Sequence, residues 1–259
     1  MSDLLICDIN NARRVHDWAA FAAFSPVTIA KMTQGTGFLA KSFAPHRDGA
    51  AEAGLKAFGA YHFWEPGDDP VAQAKNAVKA LGTLRDAPLE WLILDVETGS
   101  EFEAYETFCK VADAELGRIT WLYGGRQLKG IMPHRPRWVA RYKDHTPNPK
   151  NQPGIGEVLW QFTDKHPVPG VKPATADCSV YRGSADDLIT FIRGGRMATL
   201  DADDLKAIDA IVRKALNEGT GKGQKSWAGT SQATLASVQG SHNELAAVKK
   251  LVSTLRAKP

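Results

Sequence analysis

Short apolar runs recur along the first 181 residues of this chain, and helical patterns separate most of the early ones. Eight of the runs have the length and composition of strands: 4–8, 27–31, 58–63, 92–97, 119–123, 137–140, 158–162 and 176–181. Helices are predicted at 16–24, 47–57, 70–84, 101–116 and 185–193. Because strands that alternate with helices form parallel sheets, the pattern predicts an α/β fold, a TIM-like (β/α) barrel.

The second half of the predicted barrel has few helices. Between the strand candidates at 137–140 and 158–162 the chain is rich in Pro, Asn and Gly, so we expect a loop at 143–156. A Gly pair at 194–195 ends this unit. The expected architecture is therefore a barrel over residues 1–195 with helices missing in its second half.

Length and charge exclude several classes of protein. The 259 residues suffice for one large domain and a small appendage, and no run of about 20 apolar residues predicts a membrane span. The N-terminus lacks the basic segment and apolar core of an export signal. The net charge of +3 comes from the last sixty residues, with nine Lys and Arg against six Asp and Glu. No nucleic-acid motif or dense basic patch is present, so we predict no nucleic-acid partner.

Some reactive side chains are expected to pack in the barrel wall. The spacing of Cys7, Cys109 and Cys178 fits neither a metal site nor a disulfide framework, so we interpret all three as small buried side chains. Cys7 and Cys178 each adjoin an acid and, in a strand, face away from it. His62 follows Tyr61 and should likewise face away from the side that Tyr61 occupies.

The strand candidate at 92–97 ends in two carboxylates one residue apart, Asp95 and Glu97. Since side chains alternate between the faces of a strand, both point to the same side. Each raises the cost of charging the other, so one can stay protonated near neutral pH. Glycosidic bond cleavage uses such a pair, although Asp95 could instead cap a helix and Glu97 could lie in a surface loop.

Further polar residues stand near the predicted strand ends, where barrel enzymes carry their chemistry. They are Asp8, Lys31, Tyr61, Asp95, Glu97, Tyr123, Gln161 and Asp177. Each alone could be a capping or loop residue, but four acids in one cup exceed what folding requires. Aromatic residues near the same ends could stack on sugar rings or pack in the core. These are Tyr61, Trp64, Tyr123, Trp138 and Trp160.

Taken in order, these motifs resemble glycoside hydrolase family 25, the N-acetylmuramidase lysozymes of phage endolysins and microbial autolysins. The resemblance covers about residues 4–193. It rests on Ile6-Cys7-Asp8-Ile9-Asn10, Lys31-Met32-Thr33-Gln34-Gly35, Gly59-Ala60-Tyr61-His62-Phe63, Asp95-Val96-Glu97, Trp138-Val139-Ala140-Arg141-Tyr142, Trp160-Gln161-Phe162-Thr163 and Asp177. The family often has Glu where Gln34 stands and Ser where Asn10 stands. It implies the same eight-stranded barrel with few late helices.

The resemblance implies a peptidoglycan hydrolase that cleaves the β-1,4 bond between N-acetylmuramic acid and N-acetylglucosamine, with retention of configuration and without cofactor or metal. Glu97 would be the general acid. Asp95 and Asp177 would stabilise the substrate's N-acetyl group or the charge at the anomeric carbon, and Asp8 would anchor the substrate. Candidate substrate-binding residues are Lys31, Tyr61, Trp64, Tyr123, Trp138 and Gln161. An endolysin would be made in the host cytoplasm and act on the cell wall after release, which agrees with the missing export signal.

Two other functions stay open at this point. A strand that carries Asp-x-Glu also serves glucosaminidase or chitinase-like enzymes, although Asp8 and Asp177 favour the muramidase. The chain could also be a barrel that binds saccharides without cleaving them. Such a barrel would keep the acidic cup but lack the residue that acts as general acid. Glu97 is present, which argues against that reading.

Residues 196–259 are expected to form a small helical module. Helix restarts near 199–201 and carries an apolar stripe, a Gly-rich break follows at 219–223, and a heptad pattern closes the chain. The heptad positions are Val238, Leu245, Val248, Val252 and Leu255. A helix this short should pair with something. The candidates are the rest of the chain, a second copy in a homo-oligomer, or the cell wall.

Overall fold

A computed structural model describes residues 3–97, 99–125, 128, 131–132, 135–142 and 157–193. These residues all belong to the first of two units into which the chain divides, Met1–Ala198. The loop predicted at 143–156 and the helical module predicted at 196–259 lie outside the described residues.

The described residues contain every strand and helix that the sequence predicts for the barrel, together with three short strands that it does not. The strands are β1 (Leu4–Ile9), β2 (Arg14–Val15), β3 (Val27–Gln34), β4 (Phe38–Leu39), β5 (Ala57–Phe63), β6 (Leu89–Asp95), β7 (Trp121–Gly124), β8 (Arg137–Ala140), β9 (Glu157–Pro167), β10 (Val171–Lys172) and β11 (Thr175–Tyr181). The helices are α1 (Trp18–Phe24), α2 (Phe43–Glu52), α3 (Pro70–Leu81), α4 (Phe102–Leu116) and α5 (Ala185–Ile192). None of these helices is long and apolar enough to cross a membrane.

Eight strands close into a barrel in the order β1-β11-β9-β8-β7-β6-β5-β3, and β3 pairs with β1. The predicted TIM-like fold with few late helices is confirmed. Seven of these strands run parallel to one another, whereas β11 is antiparallel to both β9 and β1. The link from β9 to β11 spans only residues 168–174, which is too short for the crossover that a parallel strand requires.

Side-chain alternation divides the apolar residues between two cores. The inner core fills the barrel with residues such as Ile29, Trp91 and Trp121. Helix α5 closes its floor, where the Phe191 ring meets Trp121 edge-on with centroids 5.5 Å apart. The outer core lies between the strands and helices α1 to α4 and includes Phe58. The end of the barrel opposite α5, which we call the mouth, is therefore the end where the parallel strands finish.

Cys7 and Cys178 form a disulfide bond, so the interpretation of both as unpaired packing residues is wrong. They are direct partners in the antiparallel β1–β11 pair. The bond cannot be predicted from sequence because the two cysteines are 171 positions apart, and only barrel closure brings the first and last strands together. Cys109 is a buried free thiol, as predicted.

Two element ends differ from prediction in ways that matter. Helix α2 ends at Glu52 because Gly54 turns the chain with a φ of 71°, and Ala57 begins β5 instead of ending that helix. Strand β6 ends at Asp95, so Glu97 follows the strand instead of forming part of it.

Candidate active site

The barrel strands place polar residues at the mouth. Asp8 on β1 and Asp177 on β11 are direct partners in the strand register. The expectation that Asp177 stands near the carboxyl end of its strand is wrong, since it lies near the start of β11. The reversed direction of β11 brings that start to the mouth. Asp95 ends β6, and Glu97 follows it. We call these four residues the acid cup.

Gln161 on β9 supports Asp8. Its Nε2 donates a hydrogen bond to Asp8 Oδ2 at 2.7 Å. Its Oε1 accepts hydrogen bonds from the hydroxyls of Tyr123 and Tyr142, at 2.6 and 2.5 Å. Gln161 is only 2% exposed. The candidate substrate-binding residue Gln161 therefore directs both ends of its amide at protein groups.

The acids of the cup perturb one another. Burial raises the pKa of Asp8 well above its usual range, and Asp177 raises it further against the hydrogen bond from Gln161. Burial also raises the pKa of Asp95, and Glu97 adds to the effect while Lys31 opposes it. The buried acids thus keep their protons to higher pH than free carboxyls do.

Asp177 has a different balance of neighbours. Burial raises its pKa to about 6, with Arg13 acting in the opposite direction and Asp164 and Glu97 adding to the rise. Arg13 lies just after β1, where it forms an isolated bridge with Asn10. A cation therefore stands beside the acid cup on the side of Asp177.

Glu97 is the exposed member of the cup. It interacts electrostatically with the other three acids. The preceding residue, Val96, is fully buried, and its N–H donates to the Tyr123 carbonyl at 2.9 Å. Two residues on, Gly99 has a φ of 86°. The local chain thus presents one reachable carboxyl above deeper acids.

Lys31 extends the site along the edge of the mouth. Its Nζ donates to Gln34 Oε1 at 2.9 Å and lies 4.7 Å from the centroid of the Phe63 ring. Gln34 in turn donates from Nε2 to Glu65 Oε2 at 2.9 Å. An amide makes both bonds at once, whereas a carboxylate at this position could not donate to Glu65. Gln34, which stands where the family often has Glu, therefore suits its neighbour Glu65, because the amide can donate to that carboxylate.

The aromatic candidates divide into two groups. Tyr61 and Tyr123 belong to the inner core and are 8% and 6% exposed. They lie at the mouth ends of β5 and β7. Burial is the main cause of the raised pKa of each phenol, and Asp95 and Asp8 raise it further. The two rings therefore border the acid cup.

The three tryptophans are buried in the core, which is one of the two alternatives that the sequence left open. The substrate-binding candidates Trp64 and Trp138 therefore present no exposed ring face to a sugar. Trp64 packs edge-on against Tyr105 on α4, and its Nε1 donates to Glu101 Oε2 at 2.9 Å. Trp138 lies beneath Tyr123, with ring centroids 4.2 Å apart, and donates to Ser179. Trp160 faces the outer core and is fully buried. A position at a strand end does not tell whether a side chain faces the inside or the outside of the barrel, as Trp64 shows. It also does not tell whether an inward side chain reaches the mouth or stays in the layer below it, as Trp138 shows.

His62 is a wall histidine, as predicted. It is fully buried between the Thr33 hydroxyl, 2.8 Å from Nδ1, and Gln73 Oε1, 3.1 Å from Nε2. Burial lowers its pKa to about 4, so it is neutral at physiological pH.

Sequence reasoning did not single out two residues of the site. Tyr142 shares the alternation of Trp138-Val139-Ala140-Arg141-Tyr142, so its position two residues after an inward-facing strand end was an available signal. Arg13 carried no such signal. Among the residues described, no group of three or more His, Cys, Asp or Glu is placed to hold a metal ion.

The sequence matches the profile of Glycosyl hydrolases family 25 over residues 7–171. This chain belongs to that family. It is therefore a glycoside hydrolase, and the resemblance drawn from the motifs is confirmed. No curated protein matches the sequence.

Solved structures with the same fold include lysozymes and muramidases. The bacterial lysozyme from Streptomyces coelicolor is 21% identical with a TM-score of 0.64, covering 76% of this chain and 100% of that one. The muramidase from Trichobolus zukalii is 26% identical with a TM-score of 0.61, covering 74% and 99%. The catalytic domain of endolysin ply40 from bacteriophage P40 of Listeria monocytogenes is 23% identical with a TM-score of 0.61, covering 75% and 98%.

Proposed function

We propose that this family 25 enzyme is a peptidoglycan hydrolase, an N-acetylmuramidase that cleaves the β-1,4 bond between N-acetylmuramic acid and N-acetylglucosamine. The observation that carries the proposal is the acid cup, in which the exposed carboxyl of Glu97 stands beside three acids of which Asp8 and Asp95 are buried. The similarity to lysozymes and muramidases supports peptidoglycan as the substrate class.

In the proposed mechanism Glu97 protonates the glycosidic oxygen as the bond breaks, because its exposed carboxyl can reach a polymer laid across the mouth. The deeper acids Asp95 and Asp177 orient the acetamido group of the sugar and stabilise positive charge near the anomeric carbon. The acetamido oxygen attacks the anomeric carbon as the glycosidic bond breaks, which gives an oxazolinium ion. Water then attacks the same carbon and opens that ring while it loses a proton to the Glu97 carboxylate, so that two inversions give retention of configuration. Asp8 holds the sugar at the base of the cup.

The proposed place of action is the bacterial cell wall, after release from the cytoplasm in which the protein is made, as for an endolysin. The Cys7–Cys178 disulfide supports action outside the cytoplasm, because such bonds persist in oxidising surroundings. Counting free thiols on protein from intact cells and from the culture fluid after lysis tests the proposed place of action. We expect one free thiol, that of Cys109, in the culture fluid, and three free thiols there would contradict the proposal.

The role of Glu97 is tested by replacing it with Gln, which keeps the shape and removes the transferable proton. We expect Glu97→Gln to lower the release of reducing ends from purified peptidoglycan by about 10²–10⁴-fold, with unchanged thermal unfolding. Glu103→Gln is the matched control, since Glu103 is also exposed and lies in the first turn of α4. Equal turnover in both variants would remove Glu97 from the mechanism.

A further inference from the structure

The amide of Gln161 is held in one orientation by its neighbours. Both phenol hydroxyls, from Tyr123 and Tyr142, donate to Oε1, and the amino group donates to Asp8 Oδ2. Gln161, Asp8 and Tyr123 are 2%, 5% and 6% exposed. At this depth water cannot readily replace the Gln161–Asp8 or Tyr123–Gln161 hydrogen bond. Tyr142, which is 38% exposed, makes its contact from the rim of the site.

This orientation assigns different tasks to the two oxygens of Asp8. Oδ2 accepts the Gln161 N–H and therefore carries no proton directed at Gln161. Asp8 lies opposite Asp177 across the strand pair, and the two carboxyls interact. Any proton held by Asp8 is thus left to Oδ1.

We propose that Gln161 is a positioning residue that fixes Asp8 as a hydrogen-bond acceptor at Oδ2, and that Tyr123 and Tyr142 keep the Gln161 amide from turning over. Without the phenols, the amide could rotate so that its carbonyl oxygen faces Asp8. Because that oxygen can only accept a hydrogen bond, it would favour a protonated Oδ2. The inference rests on the proposed function only in assigning Asp8 to substrate binding. The hydrogen-bond network itself is independent of substrate identity.

The ionisation of Asp8 depends on groups from all sides of the mouth. Acting on it directly are burial, Asp177, Gln161, Asp95 and Glu97. Tyr61, Tyr123 and Tyr142 interact with Asp8, Lys31 interacts with Asp95 and Glu97, and Arg13 and Asp164 act on Asp177. Gln161 is the neutral member of this set that donates to Asp8, which makes its removal a clean test.

The test measures the titration midpoint of the Asp8 carboxyl by NMR of the full chain labelled with ¹³C at Asp side chains, with Asp8→Asn used for assignment. Gln161→Met keeps the approximate volume and removes the donor. We expect the Asp8 midpoint to rise by roughly one pH unit, because a hydrogen bond to a charged acceptor is lost. The acidic limb of the activity profile should move in the same direction.

The tyrosines give a second, sharper prediction. Tyr123→Phe and Tyr142→Phe each leave one phenol on Oε1 and should shift the Asp8 midpoint little, whereas the double variant should approach Gln161→Met. Gln73→Met is the matched control, since Gln73 is also buried but hydrogen-bonds His62. It should alter thermal stability without moving the Asp8 midpoint.

An unmoved Asp8 midpoint in Gln161→Met would overturn the proposal, as would a double tyrosine variant that titrates like the wild type. Failure of the proposed function is recognised separately. A wild-type chain that releases no muramic-acid ends from peptidoglycan would refute the muramidase, while the NMR titration would still decide the role of Gln161.

Discussion

Asp177 is a residue whose proposed function conflicts with the stability of the fold. Its carboxyl has a pKa raised to about 6, chiefly by burial, so the folded chain holds a proton there that an unfolded chain releases nearer 3.8. Between these values the folded state binds more protons than the unfolded state, and stability falls as the pH rises. Above about 6 the full cost of the ionised group is present. The acid cup is therefore maintained at the expense of the fold.

Asp177→Asn is accordingly expected to stabilise the protein at pH 8 while it abolishes most activity. The variant should melt at a higher temperature than the wild type above about pH 6 and lose most of this advantage by about pH 4, where Asp177 is protonated in the folded state and partly protonated in the unfolded chain. Thermal unfolding at pH 8 and pH 4 checks this, because pH 8 lies above the folded pKa of about 6 and pH 4 lies close to the unfolded value of 3.8. A shift of equal size at both pH values would mean that ionisation is not the cause.

Side-chain alternation along the strands reveals the acids of the cup but not which of the aromatic residues are buried. The four acids of the cup were predictable because each interrupts or ends an apolar strand pattern. Trp64 and Trp138 were not, because an aromatic side chain at a strand end fits either a core or a binding surface equally well. Arg13 was not predictable, since its approach to Asp177 depends on the path of the chain after β1.

Among the elements, the turn after β6 controls where Glu97 stands. Val96 is anchored by burial and by its hydrogen bond to Tyr123, and Gly99 allows the following bend with a φ of 86°. A Cβ at Gly99 would stand 3.2 Å from the Tyr105 hydroxyl. The turn is thus fixed at both ends around Glu97, the proposed general acid.

Gly99→Ala should therefore lower activity as well as stability. Gly117→Ala is the control, because Gly117 has a φ of 64° but a Cβ there would meet nothing within 4 Å. Each substitution should cost about 1–2 kcal/mol of unfolding free energy for the left-handed backbone. Only Gly99→Ala should also reduce kcat severalfold, measured on soluble peptidoglycan fragments. Equal kcat in the two variants would show that the turn does not position Glu97.

The local sequence pattern predicted which strands and helices form, but it did not predict the direction of the last barrel strand, β11. Strand and helix periodicities are properties of neighbouring residues, and they placed eight barrel strands and five helices. The direction of β11 depends on the short link from β9, and the Cys7–Cys178 bond depends on the resulting register. Both features follow from tertiary closure, which periodicity does not describe.

At the scale of the whole molecule, the disulfide joins the first strand of the barrel to the last. It closes a span of 171 residues, and its two cysteines adjoin Asp8 and Asp177 in the same strand pair. The covalent link restricts the unfolded chain and holds the seam of the barrel beneath the acid cup.

Removing this link should destabilise the barrel by about 2–5 kcal/mol. The Cys7→Ala/Cys178→Ala double variant should unfold at lower denaturant concentration than the oxidised wild type. Dithiothreitol should weaken the wild type toward the variant and leave the variant unchanged, since Cys109 forms no disulfide. The stabilising role of the disulfide would be refuted by a wild type that has three titratable thiols and is as stable as the oxidised protein.

The acid cup is proposed to cleave the glycan so that N-acetylmuramic acid carries the new reducing end. Mass spectrometry of fragments released from purified peptidoglycan, after borohydride reduction of the new ends, tests this proposal. We predict muramitol at the reduced ends. Glucosaminitol alone would instead assign the barrel to a glucosaminidase, and the absence of released fragments from several wall types would contradict hydrolysis of peptidoglycan altogether.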